Sequence, residues 1–93
     1  MKDEIRNRNV RMLYKAFLAL ENEEECEAFL ADLCTDAEIS AMAQRLAVAA
    51  MIADGKKYDE IAETTGSSPA IISRVKRCMH NYEKTGILDK IKS

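Results

Sequence analysis

The stretch "KKYDEIAETTGSSPAIISRVKR", Lys56 to Arg77, decides the fold of this chain of 93 residues. It holds two short apolar-patterned segments on either side of Gly66, with Pro69 where a second helix can begin. With Gly66 as the turn, Ile61 and Ala62 fall where an apolar and a small residue must meet a crossing helix, and Ile72 and Val75 fall inward on the second segment. Such a corner needs a glycine free to take positive φ, a small side chain where two backbones cross, and apolar side chains that lock the angle. Ser68 is an N-cap by type, and Pro69 at the first helical position has no N–H to leave unpaired. The stretch is therefore expected to be a helix-turn-helix. Thr65 and Ser67 depart from the pattern, since apolar residues are usual on both sides of the turn glycine.

With Ile72, Val75 and Met79 inward, Ala70, Ser73, Arg74, Arg77 and Asn81 share the opposite face, at helical steps of three and four. That face is small at its start and basic further along. A helix entering a DNA major groove needs both properties: small residues allow close approach, arginine donates to guanine or phosphate, and serine can bond either. Ser67, Ser68, Ala70, Ser73, Arg74 and Arg77 are thus candidate contacts to double-stranded DNA, with Lys56, Lys57 and Lys76 as flanking phosphate contacts.

The charge distribution agrees. The net charge is −2, which taken alone argues against nucleic acid. Residues 1–54, however, carry six Lys/Arg against eleven Asp/Glu, whereas residues 55–93 carry eight against five, so the basic end coincides with the helix-turn-helix. This is the pattern of a protein that meets a polyanion at one end only.

Three glycines, one proline and few β-branched or aromatic runs point to an all-α chain. Its length suits one domain with a modest core, spanning 1–93, with core helices in 1–54, the helix-turn-helix in 56–80 and a tail in 81–93. "MKDEIRNRNV" is charged throughout, and the longest apolar run, "LAVAAMIA" from Leu46 to Ala53, falls far short of the roughly 18 residues that cross a bilayer. The expected location is cytoplasmic, with no membrane partner.

Helix signals precede the decisive stretch. Met12, Leu13, Ala16, Phe17 and Leu20 recur at helical spacing within a first helix from Asp3 to about Leu20. Asn22, with Glu25 three residues on, caps a second helix carrying Cys26, Phe29, Leu30 and Leu33. "TDAE" gives Thr35 and Glu38 as a capping box for a third helix, whose stripe is expected at Ile39, Met42, Ala43, Leu46, Ala50 and Ala53. Near its end that helix is apolar all round and must be covered on every face, which favours a partner subunit. Gly55, Gly66 and Gly86 read as closures of helices three, four and five, and Ile87, Leu88 and Ile91 as a short sixth helix or a fraying end.

Catalytic and metal chemistry find little support. Cys26, Cys34 and Cys78 are odd in number without a CxxC pair, and on helices they read as small apolar groups. His80 has no partner at a fixed spacing, "ENEEE" reads as a solvated face, and no glycine is left over for a phosphate loop. No enzyme activity, metal or cofactor is expected.

A long apolar helix opened by "TDAE" and closed by "DG", followed by "YDEIAETTGSSPAIISRVKR", resembles the Trp repressor superfamily, and within it the YerC/YecD group, over roughly residues 10 to 85. The resemblance implies an intertwined homodimer whose first three helices share a core, and a repressor that places two helix-turn-helix units on a palindromic operator. It also implies that Arg45 and Arg74 stand where the repressor's two arginines enclose its corepressor, with Cys78 in place of a serine beside that ligand. Val75, however, stands where the repressor has a glycine, and its side chain fills the expected indole space, so tryptophan is not expected as a ligand. Arg45 and Arg74 are then left to an unidentified small-molecule effector, to phosphate, or, for Arg45, to an ion pair with Glu60 or Glu63. The competing function is a protein-interaction adaptor, in which the basic stripe meets an acidic protein and the helix-turn-helix is inherited architecture.

Overall fold

The computed structural model describes residues 2–92, which form seven helices and no strand. They divide into two compact units, up to residue 36 and from residue 37 on.

The first unit holds α1 (Lys2–Ala19) and α2 (Glu23–Leu33). Asp3 and Glu4 sit in the first turn of α1, where negative charge complements the positive end of the helix dipole. Asn22 caps α2, its side-chain oxygen accepting from the Glu25 N–H at 2.8 Å. The Glu25 carboxylate reaches one residue further back than a standard capping box and accepts from the Glu21 N–H at 2.9 Å. Phe17 and Phe29 tie the two helices edge to face, with ring centroids 5.5 Å apart. No described side chain of either helix is buried, and Leu18 is 86% exposed.

The second unit is built on α3 (Asp36–Ala53), which begins directly after Thr35 as the sequence signal requires. It ends in a left-handed turn at Gly55, φ +78°, where the Lys56 N–H bonds to the Met51 carbonyl and the Gly55 N–H to the Ile52 carbonyl. This pair of bonds is a Schellman closure. Then follow α4 (Tyr58–Thr65), α5 (Pro69–Arg77), α6 (Met79–Thr85) and α7 (Ile87–Lys90). The core of the unit is Val48, Ala49, Ile61, Ile72, Val75 and Leu88. Met79 and Tyr82 pack against it half-buried, and α7 is ordered by Leu88 while Ile87 and Ile91 stay exposed.

Two expectations are corrected here. The fifth helix does not run on to Gly86: it stops at Arg77, where Cys78 leaves helical geometry (φ −103°, ψ 7°) and its N–H bonds back to the Val75 carbonyl, three residues away rather than four. Gly86 therefore closes α6, and Asn81 belongs to α6 instead of continuing the stripe of α5. The face that α3 turns to the core is also different. Ile39 and Ala50 of the expected stripe are half-buried, but so are Ala41, Gln44, Arg45, Met51 and Ile52, with Val48 and Ala49 fully buried, whereas Met42, Ala43, Leu46 and Ala53 are exposed. Both faces of this helix are apolar, so periodicity alone could not choose between them.

Replacing Ile72 by alanine should lower the unfolding free energy by about 2–5 kcal/mol in urea titrations, as expected for a truncated buried isoleucine. Gly66→Ala should cost only about 1–2 kcal/mol, because a Cβ there meets nothing within 4 Å and the penalty is that of the left-handed backbone alone.

Candidate nucleic-acid interface

The candidate interface is assembled from α4, α5 and the turn between them. Gly66 takes φ +67° and ψ 22°, and its N–H caps α4 by bonding to the Ala62 carbonyl at 2.9 Å. Two residues later Ser68, in extended backbone, starts α5: its Oγ accepts from the Ile71 N–H at 3.3 Å, and Pro69 occupies the first turn. Ile61, Ile72 and Val75 are buried and lock the two helices together, as their spacing predicts.

The two residues that departed from the sequence pattern satisfy each other. The Thr65 Oγ1 lies 2.7 Å from the Ile61 carbonyl and 2.7 Å from the Ser67 Oγ. A hydroxyl has one proton, so if Thr65 donates to the carbonyl, which can only accept, Ser67 must donate to Thr65. The pair thus replaces an apolar contact by a closed hydroxyl chain. Ser67 is 7% exposed, and its side chain faces the turn interior. A third polar group joins from α3, where the Gln44 Nε2 donates to the Thr65 carbonyl at 3.2 Å.

Locking the apolar side inward leaves Ala70, Ser73, Arg74, Lys76 and Arg77 exposed on α5, together with Ser68 at its cap. Lys56 and Lys57 are exposed on the link into α4. A recess of about 330 Å³ brings Lys56, Ser73 and Lys76 together around Ile52, Ile61 and Ile72. Lys56 also meets Glu60 at 3.8 Å, an exposed pair of the kind worth little in water. That contact places Glu60 with Lys56 rather than with Arg45. The first helix of the motif has no side-chain cap at its N-terminus, where Lys57 holds the N-cap position.

The residues aligned with the repressor's ligand site are placed differently from one another. Arg45 is half-buried on α3, Arg74 is exposed on α5, and Cys78 is half-buried at the break after α5. Val75 is a core residue, packed in one cluster with Val48, Ala49, Ile61 and Ile72.

Two helices joined by a left-handed glycine, with one side locked into a core and a small-and-basic side left bare, is the geometry of a helix-turn-helix. Residues 8–88 match the family model of the Trp repressor protein. The chain belongs to the Trp repressor family. It is 44% identical to the Bacillus subtilis (strain 168) protein YerC, over 97% of this chain and 88% of that one. Among solved structures it is similar to a Staphylococcus aureus protein, at 45% identity and a TM-score of 0.86 over 96% of this chain and 91% of that one. It is also similar to a TrpR-like protein from Eubacterium eligens ATCC 27750, at 35% identity and a TM-score of 0.78 over 90% of this chain and 95% of that one. Neither Gln44 nor the Thr65–Ser67 pairing follows from the helix-turn-helix pattern itself. Gln44 escaped the sequence reading because it lies on the face of α3 that the expected stripe left outside.

Thr65→Val should leave the buried Ser67 hydroxyl without its acceptor and cost about 1–3 kcal/mol in thermal or urea unfolding. Thr65→Val combined with Ser67→Ala should cost less than the two single changes summed, because the second removes the group that the first orphans.

Proposed function

We propose that this protein is a sequence-specific DNA-binding transcriptional regulator, acting in the cytoplasm as a homodimer that represses by occupying a palindromic operator. The observation that carries this reading is the exposed face of α5, where Ala70 and Ser73 are small and Arg74, Lys76 and Arg77 are basic, beside a core that holds α5 at a fixed angle to α4. Ala70 and Ser73 approach the base edges, Arg74 reads guanine or holds phosphate, and Lys76 and Arg77 bind the backbone. Lys56, Lys57 and Ser68 add phosphate contacts from the link and the turn. Ser67 contributes through the turn: its hydroxyl, bonded to Thr65, holds the start of α5 in place.

The dimer is supported by apolar surface that the chain does not cover itself. Met42 and Leu46 are each 39% exposed on the outward face of α3, and Ile5, Met12, Phe17 and Leu18 are exposed on α1. Covering these side chains with a second copy gives the intertwined core that family membership implies, and a two-fold dimer sets two copies of α5 to face two half-sites. Val75 in the core supports a regulator without tryptophan, since a valine side chain packs where the resembled repressor has a glycine beside its ligand.

Sedimentation of the 10.5 kDa chain should give twice its mass, and a monomer at micromolar concentration would remove the dimer from this reading. Selection of purified protein on sheared genomic DNA at low and near-physiological salt should enrich a few palindromic sites that survive the higher salt. Binding lost with salt and without a preferred site, together with recovery of a defined protein partner, would establish an adaptor instead. Lys76→Ala and Arg77→Ala should each weaken binding and lower the slope of log K against log salt by roughly 1. Unchanged slopes in both would take these residues out of the interface.

A further inference from the structure

We infer that Gln44 is a positioning residue for DNA recognition, setting the helix-turn-helix against α3 through its hydrogen bond to the Thr65 carbonyl. The inference rests on the DNA-binding reading and deepens it. Helix α4 ends at Thr65, and its last carbonyls have no partner within the helix. Gly66 serves the Ala62 carbonyl through its N–H, and the Thr65 carbonyl is served from outside the motif, by the Gln44 Nε2 at 3.2 Å across 21 residues of chain. The apolar contacts between α3 and the motif are non-directional and tolerate small rotations. A hydrogen bond does not, since it weakens steeply as its angle closes.

The bond also meets the turn at its most connected point. Thr65 links through its hydroxyl to the Ile61 carbonyl and to Ser67, and Ser68 immediately starts α5 by capping the Ile71 N–H. A shift of the Thr65 peptide therefore reaches Ala70 and Ser73 across Gly66, whose N–H bond to the Ala62 carbonyl and the neighbouring Thr65–Ser67 contact hold the turn in one conformation. Gln44 is half-buried, so water competes poorly for its amide.

The test compares wild type with Gln44→Met and Gln44→Glu, which keep the side chain's length and remove its N–H donor. Amide hydrogen exchange at Gly66, Ile71 and Ile72 should speed up by roughly fivefold beyond any change in the amides of α6, as one net hydrogen bond allows. Affinity for the sites recovered from the genomic selection should fall on the order of tenfold while non-specific affinity stays within about twofold, because phosphate attraction does not need the register that base contacts need. General loss of stability would lower both affinities together and speed exchange in α6 as well, and this result would overturn the inference. Unchanged exchange at the turn, or unchanged site affinity, would also overturn it. If wild type itself shows no site preference, the DNA-binding reading fails on that result, and the exchange data alone decide whether Gln44 sets the turn.

Discussion

The second unit depends on one packing contact, that of Val48 and Ala49 in α3 against Ile61, Ile72 and Val75 in the helix-turn-helix. Val48 is fully buried, and with Leu88 these residues are the whole buried apolar set among the described residues. Each of these side chains except the smaller Ala49 contributes roughly 1.5–3 kcal/mol by leaving water. A core this small fixes that the helices meet more firmly than it fixes how they are rotated. Directional contacts must supply the rest: the left-handed cap at Gly66, the hydroxyl chain of Thr65 and Ser67, and the amide of Gln44. The angle at which α5 is presented follows from this division between non-directional packing and directional bonds.

What the sequence made legible was local. Asn22, Ser68 with Pro69, and the glycines Gly55 and Gly66 act within a few residues of themselves, so their caps and turns could be read without knowing the neighbours. The inward anchors Ile61, Ile72 and Val75 were legible for the same reason, since glycine fixes their phase. The core face of α3 was not, because "LAVAAMIA" is apolar on every side and only the position of the helix-turn-helix selects Val48 and Ala49. Neither was the break at Cys78, which carries no glycine or proline to announce it and shows only in a tightened hydrogen bond to Val75. Ser67 looked like a surface contact by type. Its burial depends on Thr65 offering an acceptor two residues away, a pairing that neither residue signals alone.

The separation of charge along the chain takes on a structural meaning once α5 is in place. Residues 1–54 carry most of the acidic side chains, in α1, α2 and the start of α3, whereas the basic side chains of the second half cluster on α5 and on the link before α4. An acidic protein can thus present a basic face on α5, so overall acidity is compatible with the DNA binding proposed for that helix.

The hydroxyl chain in the turn also constrains how this sequence can drift. An apolar pair at positions 65 and 67 would suit the same corner, yet changing Thr65 first leaves the buried Ser67 hydroxyl without its acceptor, whereas changing Ser67 first leaves Thr65 still bonded to the Ile61 carbonyl. The path between the two arrangements therefore has an order, in which position 67 changes before position 65. A hydroxyl pair in a turn thus gives its two positions unequal freedom to change, the donor more than the acceptor that satisfies it.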